Sequence, residues 1–220
     1  MQTSSLKILY EDENIIAVDK AEGISSIAEN DLTTATIHSM LEAHLKQNVL
    51  IVHRIDKDVS GVILFAKGKN AHRQLNKQFF DRSVSKYYSA LVIGEVNNLS
   101  GIINKPIKEF GSGRMGVDQK GKQSITNYRV VETFDGYSLL ELNPSTGRRH
   151  QLRVHLYSLG NPIVGDTKYG DKNIQKNYKR LMLHASRIEF SLNNKRIRVE
   201  SELPLSFIEV IEMLKVGNKE

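Results

Sequence analysis

The chain has 220 residues, of which 40% are hydrophobic and 25% charged, so it can bury a core and lacks the composition of a disordered chain. The 31 Lys and Arg outnumber the 25 Asp and Glu, and the net charge of +6 favours partners that carry many phosphates. Cysteine is absent, which excludes disulfides, thiolate zinc sites and cysteine nucleophiles.

The sequence also indicates where the protein works. Residues 1–5 have neither the basic nor the apolar region of a signal peptide. No apolar run approaches the length that crosses a membrane. We therefore expect a cytoplasmic protein with no membrane association.

The first half of the chain alternates strand-like and helix-like segments. Apolar residues recur every third or fourth position in the helical segments and form continuous or alternating runs in the strands. The predicted elements are strands at 6–10 and 14–19, a helix at 34–47, strands at 50–52 and 62–66, a helix at 70–82 and a long strand at 86–96.

The second half opens with a segment rich in glycine and charge, 108–122, for which we predict a mobile loop. A helix over 149–159, closed by Gly160, would carry Arg149 and Arg153 on one face. Its apolar stripe would consist of Leu152, Leu156 and Leu159. The other predicted elements are strands at 125–134, 137–142, 180–190 and 196–200, and a final helix that begins at Pro204.

Strands dominate this order, and the helices interrupt them without strict alternation. Such a pattern is typical of an α+β fold with a largely antiparallel sheet. No repeat, low-complexity tract or linker divides the chain. We expect one catalytic domain over residues 1–220, with its motifs between about 6 and 204.

The segment 53–61 places acids, bases and a glycine between two apolar strands. It could be a solvated turn whose polar side chains bond to nearby backbone, with Gly61 in an unusual dihedral. Asp56 and Asp58 could instead bind a divalent metal. The third interpretation is an Asp56 held ionised as a nucleophile, which the flanking cations favour because they would repel a metal.

Residues 53–61, His-Arg-Ile-Asp-Lys-Asp-Val-Ser-Gly, resemble the His-Arg-Leu-Asp-x-x-Thr-Ser-Gly signature of RluA-type pseudouridine synthases. The resemblance implies that Asp56 is the catalytic acid. Ile55 and Val59 stand where that family usually has Leu and Thr, and the second exchange removes a hydroxyl.

Further segments match the same family in the expected order. Residues 10–20 resemble its opening strands, with Ala21 in place of the usual proline. Residues 86–90, Lys-Tyr-Tyr-Ser-Ala, resemble Lys-x-Tyr-x-Ala and place the active-site tyrosine at Tyr88. Residues 146–156, Thr-Gly-Arg-Arg-His-Gln-Leu-Arg-Val-His-Leu, resemble Thr-Gly-Arg-Thr-His-Gln-Ile-Arg-x-His-Leu. The segments 161–166 and 183–185 complete the series.

The resemblance implies a pseudouridine synthase fold, in which helices flank a mixed, largely antiparallel central sheet with a catalytic cleft. It implies an isomerase that moves uracil from an N1 to a C5 linkage on ribose, without a cofactor and without a metal. The substrate would be specific uridines in structured ribosomal or transfer RNA.

The resemblance also assigns roles to residues that handle the base. An RNA uridine must be flipped out of its stack to be reached, and Tyr88 would stack on it. Leu152 would line the uracil pocket. Arg54 would occupy or guard the space that the flipped base leaves.

Two arginines would handle charge. Arg153 would pair with Asp56 and keep that acid ionised. Arg148, which precedes the start of the predicted helix, would meet phosphate. The histidines have no compact metal spacing, and we expect His150 and His155 to make structural hydrogen bonds.

Two other functions remain alternatives: a non-catalytic RNA-binding module, and a metal-dependent transferase built on Asp56 and Asp58. On this resemblance we expect the chain to start at the catalytic strands, without the small N-terminal RNA-binding domain that many relatives carry. Recognition would then lie in the catalytic domain or in the shape of the RNA. We expect a monomer with no obligatory protein partner.

Overall fold

The computed structural model of the protein describes residues 6–28, 34–134 and 136–216. Residues 1–5, compared above with a signal peptide, lie outside the described residues. The chain forms two compact units, Met1–Ser85 with Ala185–Glu202, and Lys86–His184 with Leu203–Glu220. The single catalytic domain over 1–220 stays a prediction.

The first unit is a sheet with one helix against each face. Its strand order is β1-β2-β4-β11, with β3 paired to β4 and β12 paired to β11. Its elements are β1 (Lys7–Glu11), β2 (Ile15–Lys20), α1 (Ile37–Leu45), β3 (Leu50–Ile51), β4 (Ser60–Ala66), α2 (Lys69–Phe80), β11 (Leu183–Leu192, which enters the unit at Ala185) and β12 (Lys195–Glu200).

Strands β2 and β4 are buried at nearly every position, and each contains a continuous apolar run, 15–18 and 62–66, because both faces of the sheet are covered. One face of β2 and β4 packs with Leu75 of α2 and Phe190 of β11. The other face packs with Ile37 and Leu41 of α1. Since Thr36 caps α1 by accepting from the Ser39 N–H at 3.1 Å, this helix begins where its apolar face can dock.

Gly61, the last residue of the polar segment 53–61, adopts the unusual dihedral considered above, with φ at +110°. A Cβ at this position would overlap with the backbone carbonyl of Ala185. Gly61 therefore permits the close approach of β4 and β11 next to the Asp56 loop.

The second unit is built on an antiparallel sheet with the order β5-β10-β9-β6. Alternate residues of β10 are buried, as in a strand with one covered face. Its elements are β5 (Ser85–Ile93, which enters the unit at Lys86), β6 (Ser100–Asn104), β7 (Ile107–Glu109), β8 (Met115–Val117), β9 (Ile125–Phe134), β10 (Tyr137–Pro144), α3 (Gln151–Ser158), α4 (Lys172–Gln175) and α5 (Leu205–Val216).

The prediction of a mobile loop over 108–122 is wrong. This segment forms the β7–β8 hairpin, in which the Phe110 N–H donates to the Arg114 carbonyl at 2.9 Å. Lys122 then returns to exchange two backbone hydrogen bonds with Ile107. Glycine and charge are typical of hairpin turns as well as of mobile loops, and three-residue strands carry too little apolar pattern to be recognised.

The α+β class and the largely antiparallel pairing are confirmed, and most predicted elements lie within a few residues of those observed. The sequence missed the strand β6 and the short helix α4. The long strand predicted to residue 96 ends at Ile93 because Gly94 has φ at +87°. Within the described ranges, no helix has the length and apolar character needed to cross a membrane.

We expect Gly61→Ala to destabilise the fold by about 3 kcal/mol or more, because a methyl group would meet backbone at a strained dihedral. Gly68→Ala is the matched control. Its Cβ would meet nothing within 4 Å, and its φ of −149° suits any residue. Urea denaturation of both variants measures the difference, and equal midpoints would contradict this account of Gly61.

Candidate active site

Asp56 lies in the loop between β3 and β4. Its side chain is half-buried, and its neighbours Ile55 and Val59 are buried at 7% and 2% exposure. The Val59 N–H donates to the Asp56 carbonyl at 3.1 Å and closes a tight turn. The buried neighbours hold the loop against the core, while Arg54 and Asp58 are exposed. Val59, which stands where the RluA-type signature has threonine, thus occupies a buried site that suits an apolar side chain.

Ser26 fixes the backbone just before Asp56. Its buried hydroxyl donates to the Ile55 carbonyl at 2.7 Å and accepts from the Ile55 N–H at 3.2 Å. One side chain therefore satisfies both backbone groups of the preceding residue. A shift of the loop would leave these groups unpaired in a buried place, which is costly.

Lys20 fixes the backbone just after Asp56. This side chain is fully buried at the end of β2, and its Nζ donates to the carbonyls of Ala21, Ile24 and Lys57 at 2.8–2.9 Å. Three carbonyl acceptors require three N–H donors, so the group is the ammonium ion. The carbonyls replace the water that the charge loses on burial.

His53 connects the start of the same loop to β4. Its Nε2 accepts the Leu64 N–H at 3.0 Å, and its ring stacks on Phe79 with centroids 5.1 Å apart. A nitrogen that accepts carries no proton, so the ring is held with the proton on Nδ1. The Nε2 atom of His53 therefore has a structural role, which is to tie the loop to β4.

In the second unit, Tyr88 lies on β5 opposite Leu142 of β10. Tyr88 and Tyr87 are both half-buried, and successive strand residues point to opposite faces. The strand predicted around Tyr88 is confirmed. Its stacking role stays a prediction.

The helix α3 begins two residues later than predicted. His150 has φ at 54°, a left-handed conformation that cannot continue into a helix, so Arg149 lies outside α3 and does not share a face with Arg153. Arg149 is exposed and pairs with Glu109 at 2.8 Å instead. Leu152 and Leu156 are buried as predicted, but Leu159 caps the helix and is 38% exposed.

Gln151 fixes the turn that precedes α3. Its Oε1 accepts from the Thr146 hydroxyl at 2.7 Å and from the Arg148 N–H at 3.0 Å, while its Nε2 donates to the Ile125 carbonyl at 3.0 Å. The Arg148 N–H thus has a protein partner. The half-buried Arg148 side chain extends from a rigid turn, and its Nε donates to Gln123 at 3.4 Å.

Arg153 is buried and makes a two-pronged ion pair with Asp166. Its Nε and Nη2 each donate to one carboxylate oxygen at 2.8 Å. The Asp166 carboxylate also accepts from the N–H groups of Lys168 and Tyr169. The Tyr169 ring lies 5.3 Å from the guanidinium. This bidentate geometry orients Arg153 firmly. Its predicted pairing with Asp56 stays a prediction.

His150 and His155 make structural hydrogen bonds, as expected. His150 Nδ1 lies 2.7 Å from the Tyr169 hydroxyl, and the buried His155 bonds through both ring nitrogens to Thr126 and the Lys105 carbonyl. Burial, followed by the nearby Arg153 charge, lowers the pKa of His150 to about 4. In the described part of the chain, no three His, Asp or Glu side chains are grouped to hold a metal.

Sequence reasoning missed Lys20, Ser26 and Asp166. Lys20 and Asp166 belong to the segments 10–20 and 161–166 that match the family, which is the signal that could have found them. Ser26 belongs to no matched segment. The predicted site residues fall on both units, with Arg54 and Asp56 on the first and Tyr88, Arg148, Leu152 and Arg153 on the second.

We expect Lys20→Met to lower the free energy of unfolding by about 3 kcal/mol, because three loop carbonyls lose the buried ammonium group that holds them. Lys7→Met is the control, since Lys7 forms an exposed pair with Asp19 that contributes little. Urea denaturation gives both values. The anchoring role of Lys20 would be disproved by a loss no larger than that of the control.

We expect stability to fall as the pH drops from about 6.5 to about 4, because unfolded His150 takes up a proton before folded His150 does. Below the folded pKa both states are protonated and this loss levels off. His150→Asn removes the titration and keeps a residue that tolerates the left-handed dihedral. Urea denaturation across this range should show a flatter profile for the variant, and parallel profiles would contradict the assignment.

Comparison with known proteins gives concordant matches. A family described as RNA pseudouridylate synthase matches residues 14–158. Ribosomal large subunit pseudouridine synthase C of Vibrio vulnificus is 37% identical over 84% of this chain and 61% of its own length. Ribosomal large subunit pseudouridine synthase D of Borreliella burgdorferi is 36% identical over 92% and 67%. An uncharacterized RNA pseudouridine synthase of Zymomonas mobilis is 35% identical over 93% and 96%. The chain spans less than two thirds of the Vibrio vulnificus relative.

Two solved human structures have the same fold. RNA pseudouridylate synthase domain containing 4 superposes with a TM-score of 0.79 at 26% identity, covering 94% of this chain and 92% of its own. RNA pseudouridylate synthase domain containing 1 superposes with a TM-score of 0.78 at 26% identity, covering 97% of both chains. The predicted pseudouridine synthase fold is therefore confirmed. Since the family match alone covers more than half of the sequence, this chain belongs to the RNA pseudouridylate synthase family, among relatives of the RluA type.

Proposed function

We propose that this chain is an RNA pseudouridine synthase that isomerises uridine in large-subunit ribosomal RNA, with Asp56 as its catalytic carboxylate. Membership of the family supports the reaction. The names of the Vibrio and Borreliella relatives, which are ribosomal large subunit pseudouridine synthases, favour ribosomal over transfer RNA. Ribosomal RNA as substrate would place the enzyme in the cytoplasm.

The observation that carries the proposal is that hydrogen bonds fix the backbone on both sides of Asp56. Ser26 holds the residue before it and Lys20 the residue after it, so the carboxylate extends from a backbone that cannot easily shift. A catalytic group needs such fixed placement, since small displacements are costly in rate. The half-buried position keeps the carboxylate partly out of water and still accessible to a substrate.

The reaction breaks the bond between ribose C1′ and base N1, turns the base, and joins C1′ to C5. The C5 proton is lost and N1 gains one, so no outside atom or redox change is needed. An ionised Asp56 could attack C1′, attack C6, or assist cleavage through a glycal. All three routes need the carboxylate as its anion.

The remaining site residues receive their proposed roles from the family motifs. Tyr88 stacks on the flipped uracil, and the buried Leu152 lines its pocket. The guanidinium of Arg153, oriented by Asp166, keeps the catalytic acid ionised. Exposed Arg54 occupies the space that the base leaves, and Arg148 binds phosphate.

We expect Asp56→Asn to abolish pseudouridine formation, with a loss of at least about a thousand-fold. The substitution removes the anionic oxygen that the reaction needs and keeps the size of the side chain. Asp58→Asn is the matched control on the same loop, with an exposed carboxylate, and should retain activity. Pseudouridine is mapped in ribosomal RNA from a strain without the gene, complemented by each form. The melting temperature and RNA affinity of the Asp56→Asn protein should match those of the original protein.

Three outcomes would count against the proposal. Modification restored by Asp56→Asn would show that another group does the chemistry. Loss of activity in both asparagine variants, together with inhibition by a chelator, would support the metal-dependent transferase. RNA binding without pseudouridine from the unaltered protein would identify a non-catalytic RNA-binding module.

A further inference from the structure

Gly147, in the turn before α3, has no structural reason to be glycine. Its φ lies outside the left-handed region, so its backbone suits any residue. Apart from one atom, nothing lies within 4 Å of the place where its Cβ would be. An unusual dihedral and a crowded Cβ position are thus excluded as reasons for glycine here. The reason that remains is that glycine lets a ligand approach the backbone closely.

The one atom near Gly147 is the ammonium nitrogen of Lys86, 3.8 Å from the Cβ position. Lys86 is half-buried at the start of β5, and burial lowers its pKa. No neighbouring charge opposes this effect, and among the described residues no carboxylate forms an ion pair with Lys86. A partly desolvated cation therefore faces the open side of the glycine, where an anion would compensate its lost hydration.

We propose that Lys86 and the open face of Gly147 form a subsite for one phosphodiester group of the RNA substrate. The ligand class rests on the proposed function, since the RNA backbone is then the anion brought to this unit. Lys is a compact charge suited to a single phosphate, and a residue without a Cβ lets the sugar-phosphate chain reach the turn.

The surroundings of the turn support a preformed subsite. Gln151 fixes the turn through Thr146 and the Arg148 N–H, so the space beside Gly147 has defined walls before RNA arrives. On the other side, the Asn143 side chain donates to the Lys86 carbonyl at 2.9 Å and fixes that backbone. The nearby Arg149 is engaged with Glu109, whereas the Lys86 ammonium nitrogen lies 3.8 Å from the Cβ position of Gly147.

The charge is tested by binding of a large-subunit ribosomal RNA transcript at several salt concentrations, with Asp56→Asn as the background to prevent turnover. Lys86→Met should weaken binding about five-fold to ten-fold at about 0.1 M salt and reduce the slope of log K against log salt by about 0.7–0.9. Lys86→Arg should restore the slope. Lys172→Met, the same charge change at an exposed site on α4, should have a smaller effect.

The open face is tested with Gly147→Ala. The added methyl meets nothing closer than 3.8 Å in the protein, so the melting temperature should not fall, while RNA affinity should fall as it does for Lys86→Met. Gly68→Ala, also in open space, should bind RNA normally. Full RNA affinity in Gly147→Ala, or an unchanged salt slope in Lys86→Met, would overturn the subsite.

The two proposals fail separately. If the protein forms pseudouridine and the Lys86 and Gly147 variants bind RNA normally, the subsite is wrong and the proposed function stands. If both variants lose RNA affinity but the unaltered protein forms no pseudouridine, the subsite stands and the proposed function is wrong.

Discussion

The burial of one charge, the Lys20 ammonium, is the interaction on which the candidate active site depends. An ion can be removed from water only if other dipoles surround it, and here carbonyl groups do so. One of these carbonyls belongs to Lys57. The buried charge therefore keeps this carbonyl only if the loop that carries Asp56 stays in place. The loop is thus placed by a cation that takes no part in the proposed chemistry.

The sheet of the first unit supplies the rigid support for this arrangement. Strands β2 and β4 are covered on both faces, so Lys20 projects from a backbone that packing already holds in place. Its partner across the strands is Gly61, which ends the polar segment 53–61 and allows β4 to approach β11. The packing of β2 and β4, the close approach of β4 to β11 and the buried charge of Lys20 therefore all constrain the backbone near Asp56.

The second unit orients its polar groups by a different device. Arg153 is held by the paired oxygens of Asp166, and that carboxylate is itself held by backbone N–H groups. The turn before α3 is held by the amide of Gln151. The left-handed His150 separates this turn from the helix. In both units, the side chains proposed to meet RNA extend from backbone that buried polar groups have fixed.

The sequence by itself determined the α+β class, most strands and helices, and the family, because periodicity and short motifs are local properties. It also singled out Asp56, Tyr88 and Arg153 as candidates. Only the tertiary structure decided that Lys20, Ser26 and Asp166 are the residues that orient the candidate site, since their partners lie up to 37 positions away. The hairpin at 107–117 and the late start of α3 were likewise decided by hydrogen bonds and a single dihedral that no local pattern encodes.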